Sequence, residues 1–247
     1  MRSRWSGGRG YFVAAVVLGV VLLAGGAVFV LRGGDEAAPA PAPEVGHVAQ
    51  SGPSPASYSS SPSDEVYAAL ADRAGDPKPL TEREAFPSAA KKLDADGVPG
   101  TLTRRAERLD ADCTAAVWGR GVAAELMRGG CTQAARTLYA APDPEPGHVL
   151  SVTVFNLAGR EEAERLVAGL DAARGAGFVL PLTAKDAGQG FGRGFGMARG
   201  LALGHYAVVA WAERLDGRGA ESDEALLSLL IAGGQPPAVL NRAARTR

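Results

Sequence analysis

The sequence has two cysteines and three histidines in 247 residues, and it lacks the short patterns that mark common chemistries. There is no G-x-S-x-G, so no serine is presented on a strand-to-helix elbow. There is no H-E-x-x-H, and the remaining histidines and acids have no ligand-like local spacing. C-x-x-C is missing, which removes a dithiol redox centre. G-x-x-x-x-G-K-[ST] is missing as well, which removes a common phosphate loop. Neither sign of charge dominates: the formal net charge is −1, which speaks against long-range attraction to nucleic acid. No catalytic residue, cofactor or metal is expected, and no nucleic-acid partner. Carboxylate pairs for sugar cleavage are set by spatial separation, on which sequence spacing is silent.

Glycine, by contrast, is concentrated in "GQGFGRGFGMARG", where it recurs at every second position from Gly188 to Gly196. A phosphate cradle needs a tight turn feeding a helix N-terminus. Here the G-x-G-x-x-G spacing fails, and the residues that follow lead into a strand. A period of two matches an extended chain with Gln189, Phe191, Arg193, Phe195 and Met197 on one side. The segment is expected as a flap or loop over the domain.

The longest apolar run, residues 11–31, carries no charge and has the length of a bilayer-spanning helix. Arg2, Arg4 and Arg9 precede it and Asp35 and Glu36 follow, so residues 1–10 are expected in the cytoplasm and the remainder outside. A cleaved secretory signal is the alternative, but its apolar region is shorter, about 7–15 residues. Either reading exports the remainder. Residues 32–63 are rich in Ala, Pro and Ser and read as a disordered spacer. It would reach roughly 90 Å as polyproline and nearer 30 Å as coil. His47 falls inside it.

From residue 64 to 240 the pattern is that of an α+β domain, with 241–247 as a basic tail. "DEVYAALADR" is expected as a short helix, and Thr81 with Glu84 forms a capping-box spacing. "TLTRRAERLD" alternates weakly, as a strand would. "TAAVWGRGVAAELMRGG" places Trp118, Val122 and Leu126 at helical spacing. "TQAARTLYA" and "HVLSVTVFNL" read as strands and "REEAERLVAGLDAAR" as an amphipathic helix. "FVLPLT" and "HYAVVAWAERL" read as strands, and "SDEALLSLLIAG" as a helix capped by Ser222. The order α-β-β-α-β-β-α implies a two-layer sandwich, helices lying on one face of an antiparallel sheet.

Cys113 and Cys131 are expected as a disulfide on grounds of compartment. A continuous helix over the intervening residues would hold them about 27 Å apart, whereas the bond needs Cα atoms roughly 4.4–6.8 Å apart. Either the chain breaks near Gly119 and Gly121, or the thiols are free. The stretch "CTAAVWGRGVAAELMRGGCTQAARTLYA", followed by "VTVFNLAGREEAERLVAGLD", resembles a group of uncharacterised actinobacterial single-pass membrane proteins. Their exported domains carry a GC-x-Q-x-x-R-x-x-Y segment. The resemblance implies architecture and location, and no functional residues.

His148 and His205 are the histidines of the domain, each at the start of a predicted strand, where a solvated or capping role is expected. Glu161, Glu162 and Glu164 suit the N-terminal end of a helix dipole, and Trp118 and Trp211 suit the core. The reading is a membrane-tethered, non-enzymatic domain for binding or assembly at the cell envelope. Its expected partners are the lipid bilayer through residues 11–31 and an envelope protein or wall polymer. An envelope hydrolase of unrecognised type is the alternative, and a sensor subunit that needs a partner chain the second.

Overall fold

In the computed structural model the described residues are 48–141, 147–185 and 187–245. The elements run β1 (Ser57–Ser61), a 3-10 turn at Glu65–Leu70, α1 (Glu82–Ala85), a 3-10 turn at Ser88–Ala90, β2 (Lys92–Leu93) and β3 (Leu102–Asp110). A 3-10 turn at Cys113–Ala116 follows, then β4 (Val117–Trp118), α2 (Arg120–Arg128), β5 (Gln133–Ala140) and β6 (His148–Asn156). The chain ends with α3 (Arg160–Ala173), β7 (Phe178–Val179), β8 (Gly196–Leu203), β9 (Tyr206–Arg214), α4 (Glu224–Gly233) and α5 (Pro237–Arg245).

Seven strands form one sheet in the order β1-β8-β9-β6-β5-β3-β2, and β4 pairs with β7 separately. The fold is α+β, but the sheet is mixed rather than antiparallel throughout, because β1 runs parallel to β8. The expected two layers are also corrected. Every residue of β6 is buried, and all of β9 but its last. Such strands are covered on both faces. On one face α2 and α3 supply Val122, Leu126, Leu166 and Leu170 to a core with Phe155, Val209 and Trp211. On the other, α4 and α5 supply Leu226, Leu229, Leu230 and Val239 to a core with Leu150, Val152 and Val208.

The spacer expected through residue 63 ends earlier. Ala49 bridges Trp118, the Trp118 indole N–H donates to the Pro53 carbonyl at 2.8 Å, and Tyr58 donates to the Val167 carbonyl at 2.6 Å. Serine has little to bury, so β1 is held by backbone pairing to β8 and by Tyr58. The tail expected from 241 is helical through Arg245, and Arg242 is buried. The run at 11–31 and the cytoplasmic residues lie outside the described residues; among the described residues no helix is long and apolar enough to cross a membrane.

Local signals held where they were strong. Thr81 and Glu84 form the reciprocal capping box, and α3 buries Ala163, Leu166, Val167 and Leu170. Asp223, not Ser222, caps α4 by accepting from Leu226 N. The helix expected across Trp118 is broken at Gly119, whose φ is +84°. A side chain there would be strained, and its Cβ would run into the Ala176 carbonyl oxygen. That break lets the chain return, so that Cys113 and Cys131 are disulfide-bonded with Cα atoms 6.2 Å apart.

Candidate functional site

The glycine segment forms a cradle, but the protein's own carboxyl group fills it. Gly192 N and Gly194 N donate to the two carboxylate oxygens of Glu213, at 2.6 and 2.7 Å. Glu213 is fully buried on β9. Gly192 sits at φ +84°, against Pro53; its N–H and that of Gly194 point to the one carboxyl group, while the intervening Arg193 N–H donates to the Gly190 carbonyl. The segment is not extended throughout: it turns as far as Phe195 and enters β8 only at Gly196. Phe191 packs edge-on against Trp211 in one core, while Met197 joins the other, so the expected single-sided row does not form.

Neither histidine is solvated. The His205 side chain is fully buried, with Nε2 3.4 Å from the Asp76 carboxylate. The same carboxylate accepts from Tyr206 at 2.8 Å and from Arg242 Nη1 at 2.9 Å. Arg242 also donates to the carbonyls of Lys78 and Pro79 and to Glu84, so α5 is latched to the chain before α1. Burial opposes ionisation of Asp76, but the bonds from Arg242 and Tyr206 outweigh it and hold the carboxyl below its ordinary range. Asp76, Glu84, Arg242 and Arg245 line a polar cavity of about 440 Å³, their charges spent on one another. His148 lies across from Arg214, which pairs with Asp216 and Asp223. Among the described residues no cluster is placed to hold a metal ion.

Burial pushes His205 below its ordinary range despite Asp76, and burial and Arg214 push His148 the same way. Unfolding returns both rings to about 6.5, so below that pH the unfolded chain binds more protons. Stability is expected to fall as pH drops through about 6.5, levelling once the lower folded values are passed. The lowered carboxylates act in a separate, more acid window. Thermal unfolding between pH 7.5 and 5.5 checks this. The His148→Gln, His205→Gln double variant should flatten the dependence, and a wild-type midpoint that does not move would contradict it.

The GC-x-Q-x-x-R-x-x-Y segment turns out to be a row of clamps. Cys131 carries the disulfide to Cys113. The Gln133 carboxamide both accepts from Leu80 N and donates to Leu80 O, at 2.8 and 3.0 Å. Arg136 Nε and Nη2 grip the buried Asp110 at 2.8 and 2.7 Å. The Tyr139 hydroxyl donates to the Ala90 carbonyl at 2.8 Å. Alternation along β5 sends Gln133 and Tyr139 to one face and Arg136 to the other, pinning a different neighbouring segment on each.

By holding Leu80 and Ala90, Gln133 and Tyr139 shape an apolar cleft of about 120 Å³. Its floor is Ala135, Thr137 and Tyr139 of β5 with Val152 and Val154 of β6. Leu80, Ala85, Phe86 and Ala90 wall it, as do Ala232, Gly233, Pro236 and Ala238 where α4 turns into α5. Lys92, Leu93, Gln235 and Pro237 complete the lining. Small residues at Ala135, Ala232 and Ala238 leave the space. A second apolar groove, about 340 Å³, separates α2 from α3 and is crossed by Arg165 and Glu125, 3.8 Å apart. Tyr139 of the GC-x-Q-x-x-R-x-x-Y segment lines the cleft, but no sequence spacing marks the cleft itself, because its lining comes from separate stretches of the chain. Compared with known proteins, the chain matches no family model, no curated protein and no solved structure.

Proposed function

We propose that the chain is a membrane-tethered, non-enzymatic binding domain outside the cell membrane, and that the cleft over β5 and β6 receives an apolar group of its partner. One observation carries the reading: the cleft is an apolar concavity with few polar groups, the usual make-up of a binding pocket, while His148 and His205 are buried, His205 against Asp76. A general base must reach the proton it removes, and a ring with no exposed surface does not. The adjacency of His205 and Asp76 therefore does not favour a hydrolase. The anchor reading rests on residues 11–31. With Val48 onward packed on the domain, the expected spacer shortens to residues 32–47, which would reach roughly 50 Å as polyproline.

Two measurements test this. Titrating the full chain, reconstituted in lipid nanodiscs, with toluene is expected to shift the methyl resonances of Val152, Val154 and Ala238 and leave Val122 and Leu166 unmoved. Ala232→Leu, which fills the cleft from its rim, should reduce that shift at least tenfold. Shifts spread over both faces, or none, would overturn the binding site. For topology, a membrane-impermeant maleimide should label intact cells only after reduction frees Cys131. Labelling that requires lysis would reverse the orientation.

A further inference from the structure

We infer that the cleft takes the C-terminal residue of a peptide, its apolar side chain inside and its carboxylate against Lys92; this rests on the cleft being the binding site. The volume sets the size of the buried group. About 120 Å³ is close to the roughly 150 Å³ cavity that accepts one benzene ring, which suits one side chain and is too small for a long acyl tail. Charge sets the chemistry beside it. Among the described residues Lys92 is the only charged residue lining the cleft, and it has no ion-pair partner there. Of the acids on neighbouring segments, Glu84 pairs with Arg242 and Glu107 with Arg104, and Asp94 accepts from the Thr101 hydroxyl at 2.6 Å. An anion next to an apolar group is what this mouth complements.

Two further features favour a peptide over another organic acid. The Gln235 side chain is exposed at the rim, with no bond among the described residues, and can pair with a peptide amide. Lys92 and Leu93 form β2, the terminal strand of the large sheet, so an extended chain can approach along its outer side.

The test uses the full chain in nanodiscs and an N-terminally fluorescein-labelled Gly-Gly-Ala-Leu, read by polarisation. The free-acid peptide is expected to bind at least tenfold more tightly than its C-terminal amide. Lys92→Met should bring the acid down to the level of the amide and leave the amide unchanged, and Ala232→Leu should weaken both. Equal binding of acid and amide overturns the carboxylate assignment while leaving the cleft in place. Absence of peptide binding together with the toluene shifts overturns the peptide and not the cleft; absence of both overturns the two together. Decanoate that binds more tightly than the peptide, with the same Lys92 dependence, assigns the cleft to an acyl acid instead.

Discussion

Arg242→Met is expected to lower the unfolding free energy by about 3–5 kcal/mol, the loss seen when one member of a buried ion pair is removed. The side chain is only 3% exposed and reaches Asp76, Tyr206, Glu84 and two backbone carbonyls. Removing the guanidinium strands the Asp76 carboxylate and leaves α5 without its latch. Methionine keeps much of the volume, so the lost bonds rather than a cavity carry the effect. Arg242→Lys should recover little, since one ammonium cannot satisfy five acceptors fixed around a planar fork. Arg245→Ala is the control: that side chain is 61% exposed in its pair with Glu84, and exposed pairs contribute about 0–1 kcal/mol. Urea unfolding decides it. A loss for Arg242→Met no greater than for Arg245→Ala would mean the cluster is not a latch.

Replacing both Cys113 and Cys131 by Ser is expected to cost about 3 kcal/mol, from the entropy the unfolded chain regains when the loop opens. The bond spans 18 positions and ties a 3-10 turn to the start of β5. Between its ends lie β4, the left-handed Gly119 and α2, a detour with little regular pairing of its own. Arg136 and Asp110 hold the neighbouring part of β5 to β3, so the sheet should persist and α2 should loosen first. Reductant should lower the wild-type unfolding midpoint to that of the double variant and leave the variant unmoved. A variant as stable as the oxidised wild type would show that the bond contributes nothing.

Residues whose partners are close in sequence could be read directly. The Thr81–Glu84 cap and the buried face of α3 follow from spacing alone, as do the apolar strands β5, β6 and β9. The membrane expectation at 11–31 and the export of the remainder are also statements of sequence, made by hydropathy and flanking arginines. β1 was hidden because serine contributes almost no apolar pattern, and β8 because its glycines read as a loop. Both exist through pairing: β8 lies between β9 and β1, and neither neighbour is encoded in the strand itself. The number of layers was hidden for a related reason, since a strand buried on both faces has no alternation to show which face a helix covers.

The sequence alone therefore determined the local elements and carries the expectation of a tether, because propensity, capping and hydropathy act over a few residues or along one continuous run. Only the tertiary structure decided that a buried glutamate fills the glycine cradle, that the histidines are sealed in, and where the apolar cleft opens. Each of these depends on residues dozens of positions apart meeting at a few ångströms, a relation set by sheet order and by the turn at Gly119 rather than by any local spacing.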